Sequence, residues 1–473
     1  MRIRRLIQQE METKMFHTKT ARRTRWLAFA AAAVMTTGLT GCLGGGGSAN
    51  TGSEGSATEG TIDWWGWTPT PQLAEQYISA FNEDYPDITV NYRYFGVSDD
   101  YVNAMRPGLA GGEGPDVFGI SGGKPTSNID TYGHAAIDLE PAIEDALGAD
   151  WQDQVAQSGI DTFTTEDGKL GGLSVGDVAA GNLWINQDIF DEYGLEPPTD
   201  LESWKQVCDE LRSHDVGCLA AGAGQGIFNI DILHSIADTI DPEYFNDAAS
   251  QDASWDDPRF VQALEIFTQL QDDGIMDPGA LGLQQYPDAN NMFLSQESAM
   301  IQMGTWYRTY ATQAGAKAGI EGAGVADPEP FTMIPIPYPD VAGKGNTGLL
   351  YKDPDVALGV STSSDVQAAA TTFVTWLAAS TAGQTLIANS LDQNPALNEA
   401  SPDWDAIDLV DPEVQQPALE QLLDMTRASD QQRNSILSAD VVAAIQNSSI
   451  AVLDGTMSPE DAAAAVQSAS EAS

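Results

Sequence analysis

Cysteine and histidine are scarce in this sequence of 473 residues, which contains three cysteines and four histidines. Three cysteines exclude a disulfide-dense module and a zinc site built from four thiolates. No H-E-x-x-H or C-x-x-C spacing occurs, so we expect no dedicated metal site. The glycine pair at 122–123 lacks the spacing and the Ser or Thr of a phosphate-binding loop. The sequence therefore predicts no resident cofactor.

Basic residues are also few. Lys and Arg number 21 against 69 Asp and Glu, which gives a formal net charge of −48. A nucleic-acid duplex would repel so acidic a surface, so we expect no nucleic-acid partner. Charge of one sign keeps a protein soluble and separate from its copies, and we therefore expect a monomer. The negative net charge does not indicate which ligand the protein binds.

Long apolar runs are missing except for one near the N-terminus, at 26–39. This run follows an arginine-rich stretch and is too short to span a bilayer as a stable helix. It ends in Leu-Thr-Gly-Cys at Cys42, a tetrad that resembles a bacterial lipobox. We therefore expect a signal peptide at 1–41, lipidation of Cys42, and anchoring to the outer face of the cell membrane. The alternative is an ordinary buried cysteine.

Beyond Cys42, the Gly- and Ser-rich residues 42–60 predict a flexible tether. A short β-prone run at 61–67 follows it and leads to Thr70 and Pro71, which suit the cap and first turn of a helix. Similar strand and helix patterns alternate along the rest of the chain. Alternation of this kind requires crossover connections and predicts an α/β fold.

Several short motifs occur in a fixed order over about residues 61–400. They are FNEDYPDITV (81–90), GEGPDV (112–117), DGKLGGL (167–173), WINQDIF (184–190), LEPPTDLESW (195–204), Ala299-Met300 with Gly304-Thr305-Trp306, and the helix around Trp376. In this order the chain resembles the bacterial extracellular solute-binding proteins of sugar ABC importers, the group that contains the maltose-binding protein.

That resemblance implies an α/β, two-lobed periplasmic-binding-protein-like fold of type II, with hinge-linked lobes and a ligand cleft between them. The first lobe is expected at 61–174 plus about 356–398. The second lobe is expected at about 175–355 plus 399–473. The implied function is capture of a sugar or oligosaccharide and its delivery to the permease subunits of an ABC transporter, with the ATPase subunit acting indirectly and with no catalysis by this chain.

A sugar has an apolar C–H face and polar edges. Its binding site therefore needs aromatic side chains that stack on the C–H face and polar groups that form hydrogen bonds with the edges. Trp64, Trp65 and Trp67 cluster where the first strand ends, which is where open α/β sheets place ligands. Neighbouring strand residues face opposite ways, so one of Trp64 and Trp65 should belong to the core. By the resemblance, Trp306 is the stacking tryptophan of the second lobe, with Tyr307 as its neighbour.

Four polar residues complete the predicted site. Asp116 begins a buried strand, where it could accept ligand hydroxyl groups or cap a loop. Ser121 lies beyond that strand, where the family contacts ligand. Asp177 occupies the expected first crossover, and Asn394 lies near a late hinge.

Other interpretations remain open. Gly119-Ile120-Ser121-Gly122-Gly123 fits the G-x-S-x-G pattern of an exported esterase, for which His134, His214 or His234 would supply the base. A glycosidase would need two carboxylates that face one cleft. A peptide- or polyamine-binding protein would share the same fold. Cys208 and Cys218 could form a disulfide in an exported protein or pack as core thiols.

Overall fold

The structure is a computed structural model that describes residues 55–96, 100–123 and 127–473. All of these belong to one compact unit, Gly52–Ser473. The predicted signal peptide, the lipidated Cys42 and most of the tether lie outside the described residues. Within the described part of the chain, no helix is both long and apolar enough to cross a membrane.

In the described part of the chain, ten strands form two separate sheets. Their bounds are β1 (Gly60–Gly66), β2 (Ile88–Tyr94), β3 (Val117–Ser121), β4 (Leu173–Ala180), β5 (Asn182–Asn186), β6 (Gly217–Ala220), β7 (Ser298–Gln302), β8 (Met333–Pro337), β9 (Tyr351–Val360) and β10 (Asn394–Pro395). The larger sheet has the order β10-β4-β9-β3-β1-β2, and the smaller one has the order β6-β7-β5-β8.

Seventeen helices are described between Pro71 and Ala472. They are α1 (Pro71–Asp84), α2 (Asp100–Gly111), α3 (Ile129–Tyr132), α4 (Glu140–Leu147), α5 (Gln157–Phe163), α6 (Gln187–Tyr193), α7 (Leu201–Ser213), α8 (Gly226–Ile240), α9 (Tyr244–Ala249), α10 (Pro258–Asp272), α11 (Asn290–Leu294), α12 (Gln313–Gly322), α13 (Gln367–Ala379), α14 (Thr381–Ser390), α15 (Pro412–Ala428), α16 (Ala439–Leu453) and α17 (Pro459–Ala472). Short 3₁₀ segments include Thr305–Ala311.

The sequence predicts the start of α1 correctly. Thr70 is its N-cap, with Oγ1 accepting a hydrogen bond from the Leu73 amide, and Pro71 lies in the first turn. Before α7, Thr199 and Glu202 have the sequence spacing of a capping box, but the actual cap lies one residue later. Asp200 is the cap and exchanges hydrogen bonds with Ser203, because its carboxylate accepts from the third backbone amide of the helix.

In the larger sheet, β1 runs parallel to β2 and β3. Three strand ends, at Gly66, Tyr94 and Ser121, therefore meet at one edge of the sheet. The long strand β9 pairs antiparallel with β3 and β4. In the smaller sheet, β7 ends at Gln302, and the chain turns directly into the 3₁₀ segment that carries Trp306.

The hydrophobic core of the larger sheet is separate from the cores on the two faces of the smaller sheet, which divides the unit into two lobes. Phe81, Phe118 and Phe373 belong to the core of the larger sheet. On the smaller sheet, consecutive residues of β5 enter different cores, Ile185 on one face and Trp184 on the other. The chain passes from one sheet to the other between β4, which ends at Ala180, and β5, which begins at Asn182.

The two cysteines of the second lobe are joined. Cys208 of α7 and Cys218 of β6 form a disulfide bond, with their Cα atoms 5.0 Å apart. Both side chains are buried in the core of the smaller sheet. The bond joins two residues ten positions apart and therefore links a helix to the edge strand that follows it.

Candidate ligand-binding cleft

A cavity of about 400 Å³ lies where residues of both lobes face each other. The larger sheet contributes the turn after β1 and the end of β3. The second lobe contributes the start of α8, the segment before α11, and the 3₁₀ segment after β7. The lining residues are Trp67, Thr68, Thr70, Tyr94, Ser121, Gly123, Val178, Gln225, Ile227, Phe228, Tyr286, Asn290, Trp306, Thr309, Tyr310, Asp353, Pro354, Asp355, Asp392, Arg433 and Asn434.

Trp67 forms one aromatic wall of this cavity. Its indole is nearly buried, with 6% of its surface exposed, and it meets the Tyr101 ring edge-on at 5.0 Å. A Cβ at Gly119 would lie only 3.0 Å from the indole, so the absence of a side chain there makes room for the ring. The Tyr101 hydroxyl donates to the Gly119 carbonyl oxygen over 2.6 Å. Trp67 is therefore held by its own lobe.

Trp306 forms a second aromatic wall of the cavity and is partly exposed. Its Nε1 donates a hydrogen bond to the Tyr286 hydroxyl oxygen over 3.1 Å. A Cβ at Gly304 would overlap the indole, so a glycine turn is required for the ring to occupy this place. The Arg433 guanidinium carbon lies 4.7 Å from the indole centroid.

Tyrosines surround the same space. Tyr94, Tyr286 and Tyr310 line the cavity, and the Tyr286 ring centroid lies 5.8 Å from that of Phe228. Burial raises the pKa of Tyr286 and raises the pKa of Tyr310 to about 12. Both hydroxyl groups therefore remain protonated at neutral pH, and each can exchange hydrogen bonds with a ligand hydroxyl.

Three carboxylates also line the cavity: Asp353, Asp355 and Asp392. Asp353 is buried and accepts hydrogen bonds from the backbone amides of Arg433, Asn434 and Ser435. Burial raises its pKa, and the hydrogen bond from the Ser435 hydroxyl opposes that rise. Asp353 therefore fixes the loop beside it.

Asp392 is a second lining carboxyl group with a raised pKa. Its pKa is raised to about 7, first by burial and second by the neighbouring Asp355 carboxylate, against the opposing effect of Arg308. A carboxyl group with this pKa can accept a hydrogen bond when it is ionised and donate one when it is protonated. Both forms occur near neutral pH.

Three of the predicted site residues line the cavity: Trp67, Ser121 and Trp306. They come from the turn after β1, the end of β3 and the segment after β7. The topology thus brings together side chains that lie up to 239 positions apart in the sequence. Their contact with a ligand remains a prediction.

Trp64 and Trp65 require a correction, because neither lines the cavity. Trp64 is fully buried in the core of the larger sheet and packs on Tyr92 and Phe373. Trp65 points to the other side of the strand, where its ring lies near Phe95 and beneath the Arg93 guanidinium. Of these three tryptophans, Trp67, which lies past the end of the strand, is the one that lines the cavity.

Asp116 and Tyr307 also lie outside the lining residues. Asp116 precedes β3, at the end of that strand opposite to Ser121. Its carboxylate accepts from the Asp63 amide and the Ser364 hydroxyl, so it links β1 to the loop after β9. Tyr307 is fully buried, and its hydroxyl donates to Asn290.

Asp177 and Asn394 lie in the hinge region and are absent from the cavity wall. They face each other in neighbouring strands, β4 and β10. Asn394 Nδ2 donates to Asp177 Oδ1 over 2.7 Å. Burial raises the pKa of Asp177, and this hydrogen bond opposes the rise. The pair stabilises the sheet edge beside the lobe crossing.

The sequence reasoning missed most of the polar lining, above all Asp353, Asp392 and Arg433. These residues come from β9, the segment after α14 and a loop before α16. No local motif marks them, and 69 acidic residues give no basis for choosing two. One signal was available for the backbone at Tyr286, since the residue before a proline is biased away from the helical conformation.

The G-x-S-x-G segment at 119–123 has a different structural setting from an esterase nucleophile. Ser121 ends β3, and the Gly123 amide donates to its Oγ. His234 is stacked between Phe245 and Tyr351, and burial lowers its pKa to about 3. His214 is stacked on Tyr193 in the second lobe. His134 is exposed after α3.

Metal ligands are not grouped in the part of the chain that the structure describes: it contains no cluster of three or more His, Cys, Asp or Glu side chains suited to a metal ion. The lining residues are instead aromatic rings, carboxylates, amides and hydroxyl groups. Such a set suits a polar organic ligand with an apolar face.

Comparison with solved structures shows the fold. A structure from work on xylan utilization by Caldanaerobius polysaccharolyticus has a TM-score of 0.64 and 20% identity, covering 86% of this chain and 99% of the other. A chitin oligosaccharide binding protein has a TM-score of 0.64 and 17% identity, with 88% and 98% coverage. Maltose-bound MalE3 of T. maritima also has a TM-score of 0.64, at 16% identity, with 86% and 98% coverage.

Two comparisons concern sequence. The melibiose/raffinose/stachyose-binding protein MelE of Bacillus subtilis (strain 168) is 23% identical over 141 residues, which are 30% of this chain and 30% of that protein. Residues 65–384 match the family model for bacterial extracellular solute-binding proteins. The chain belongs to the family of bacterial extracellular solute-binding proteins.

Proposed function

We propose that this chain captures a sugar or oligosaccharide in the cleft between its lobes and delivers it, chemically unchanged, to the membrane permease of an ABC importer. One observation carries the proposal: aromatic side chains from both lobes line the same cavity as three carboxylates. Rings bind the C–H face of a sugar ring, and carboxylates accept hydrogen bonds from its hydroxyl groups. MelE, which is named for binding melibiose, raffinose and stachyose, is a relative over part of the chain.

Capture follows from the division of the site. Trp67 and Ser121 belong to the first lobe, whereas Trp306 and Tyr286 belong to the second. A ligand that contacts both sets gains binding free energy only when the lobes are close together, so it stabilises the closed state. A permease that binds the closed form can then distinguish loaded protein from empty protein. In this proposal the lobes have the boundaries that the resemblance implies, 61–174 with about 356–398 and about 175–355 with 399–473.

The proposal includes attachment to the membrane. Lipidation of Cys42 after removal of residues 1–41 would leave residues 42–60 as a tether between the lipid and the folded unit. A Gly- and Ser-rich tether of this length spans roughly 20 to 25 Å. The folded unit can then reach the permease while it stays at the cell surface as a monomer.

A binding screen tests the function. Thermal shift and calorimetry of the purified chain would be measured with maltotriose, raffinose, xylotriose and chitotriose, and with spermidine and a tripeptide as controls. Ligand that binds only the folded state raises the melting temperature. We expect at least one neutral oligosaccharide to bind at one site per chain and to be recovered intact. If spermidine or the tripeptide binds and no sugar does, the ligand belongs to another chemical class. Cleavage of the sugar would indicate an enzyme.

A further inference from the structure

Arg433 lies beside the Trp306 indole at the wall of the cavity. We propose that Arg433 is a positioning residue, whose guanidinium holds the Trp306 indole in the orientation that the ligand contacts. This proposal rests on the proposed function, because it assigns to Arg433 a part in ligand binding through Trp306. Nothing in the local sequence around Arg433 indicates this role.

Three contacts surround the indole. Its Nε1 donates to the Tyr286 hydroxyl oxygen over 3.1 Å. Its six-membered ring occupies the space that a side chain at Gly304 would need. The Arg433 Cζ lies 4.7 Å from its centroid, within the range for attraction between a cation and an aromatic face. The hydrogen bond from Nε1 involves the edge of the indole, and Arg433 supplies a contact over the ring.

Arg433 is itself held firmly. Its Nε and Nη2 donate to the two carboxylate oxygens of Asp231 over 2.9 and 2.6 Å. Its backbone amide donates to Asp353 Oδ1 in β9 over 3.1 Å. The side chain is 15% exposed. A bidentate pair between Arg and a carboxylate fixes the plane of the guanidinium as well as its position.

Fixing the indole has a consequence for affinity. An aromatic ring that is free to rotate loses rotamer entropy when a ligand packs on it, and that loss weakens binding. A ring already held in the bound orientation avoids the cost. Lysine cannot replace arginine fully. A guanidinium group is planar, so it can pair with Asp231 through two N–H groups and stack on an indole at the same time, whereas an ammonium group cannot.

The chain offers a matched control. Arg259 also lies over an aromatic ring, 4.3 Å from the centroid of Tyr244, and it forms ion pairs with Asp241 and Asp257. It belongs to α10, and it is absent from the cavity lining. R259M therefore removes the same type of contact from the same lobe, and it measures the general effect of losing such a contact on stability.

The first measurement needs no ligand. The full chain would be labelled with 5-fluorotryptophan, and the Trp306 signal would be assigned in the ¹⁹F spectrum by its loss in W306F. We expect R433M to shift and broaden this signal, R433K to change it in the same direction, and R259M to leave it unchanged. If R433M does not fold, R433K decides the outcome, since it keeps a positive charge opposite Asp231. An unchanged Trp306 signal in R433K and R433M would overturn the proposal.

The second measurement is affinity for the tightest-binding trisaccharide of the screen. We expect R433M to raise Kd about 5- to 20-fold, R433K to restore part of the loss, and R259M to have no effect on Kd. In a W306A background, the effect of R433M on Kd should disappear. If R433M binds the sugar more tightly, Arg433 blocks access of the ligand to the indole, and this result would overturn the proposal. Absence of sugar binding by the unmodified protein would contradict the proposed function, while the ¹⁹F signal would still report whether Arg433 fixes the indole.

Discussion

Trp306 and Tyr286 are joined by a hydrogen bond of 3.1 Å from the indole Nε1 to the phenol oxygen, and both rings line the cavity. The indole N–H is therefore already satisfied, and the indole offers a ligand an apolar surface. The phenol hydroxyl keeps its own proton for donation. This division of roles agrees with a ligand that has apolar faces and polar edges.

The first prediction concerns Trp306. W306A should raise Kd for the bound oligosaccharide about 10- to 100-fold, because central aromatic residues carry a large share of binding free energy. The change in melting temperature should be small, since the side chain is partly exposed. Calorimetry and a thermal melt measure the two effects. W64F is the control, because Trp64 lies in the core and an aromatic replacement keeps its packing; its Kd should equal that of the unmodified protein.

The second prediction separates Trp67 from Trp306. Trp67 is only 6% exposed and packs on Tyr101, so W67A should weaken binding and also lower the free energy of unfolding by about 3 to 5 kcal/mol. W67F should recover most of the stability. Denaturant unfolding and titration with sugar would check this. Equal losses of stability in W67A and W306A would contradict the different burial of the two rings.

The third prediction is a pH dependence that arises from Asp392. Its pKa in the folded protein is raised to about 7, above the value of about 3.9 for an unfolded chain. Between these values the folded state binds more protons than the unfolded state, so the contribution of this group to stability falls as pH rises from about 4 to 7. D392N removes the titration and should stabilise the protein by about 1 to 3 kcal/mol at pH 8 relative to the unmodified protein, with a smaller gain at pH 5.

Thermal melts of D392N and the unmodified protein at pH 5 and pH 8 measure that difference. D424N is a suitable control, since Asp424 is an exposed residue on α15. A larger gain for D392N at pH 5 than at pH 8 would show that folding stabilises the ionised Asp392 carboxylate, which is the opposite of the effect expected from its burial beside Asp355.

The fourth prediction concerns charged sugars. The described lining includes Asp353, Asp355, Asp392 and one guanidinium, Arg433, which is paired with Asp231. A neutral trisaccharide should bind at least about 10-fold more tightly than the same trisaccharide with one primary alcohol oxidised to a carboxylate, because like charges repel in a partly desolvated site. Added salt should narrow the difference. Equal affinity for both sugars would contradict an acidic cleft.

The fifth prediction concerns the disulfide between Cys208 and Cys218. The bond closes a loop over a sequence separation of ten, and loops of that size stabilise a fold by about 2 to 3 kcal/mol in the chain-entropy treatment. C208S/C218S should therefore unfold at lower denaturant concentration. The affinity for sugar should not change, since both residues are absent from the cavity lining. A change in Kd without a change in stability would contradict this structural role.

The sequence predicts the fold well because the fold depends on local patterns. Thr70 marks a helix start because its side chain caps the first turn, and Pro71 marks it because its ring fixes φ at a helical value. For the candidate site, Trp67 is predicted by the rule that ligands lie where strands end, whereas Ser121 and Trp306 are indicated by the resemblance to the family. The same rule, applied strictly, would have excluded Asp116, which lies before its strand.

Other parts of the cavity depend on tertiary structure alone. Arg433 reaches Trp306 from a loop 127 positions later in the sequence, and Asp392 comes close to Asp355 across the hinge region. No periodicity or cap signals such contacts. Tyr307 illustrates a second limit: it follows Trp306 directly, yet the 3₁₀ turn directs it into the core. Adjacent residues in a turn need not share a function.

The proposed function requires that one oligosaccharide binds between the aromatic walls of the two lobes and leaves unaltered. Calorimetric titration of the purified protein with the four trisaccharides, followed by mass spectrometry of the recovered sugar, tests this requirement. We expect one site per chain for at least one sugar, loss of affinity in both W67A and W306A, and a sugar of unchanged mass. Failure of all four sugars to bind, or recovery of shortened sugar, would contradict the proposed function.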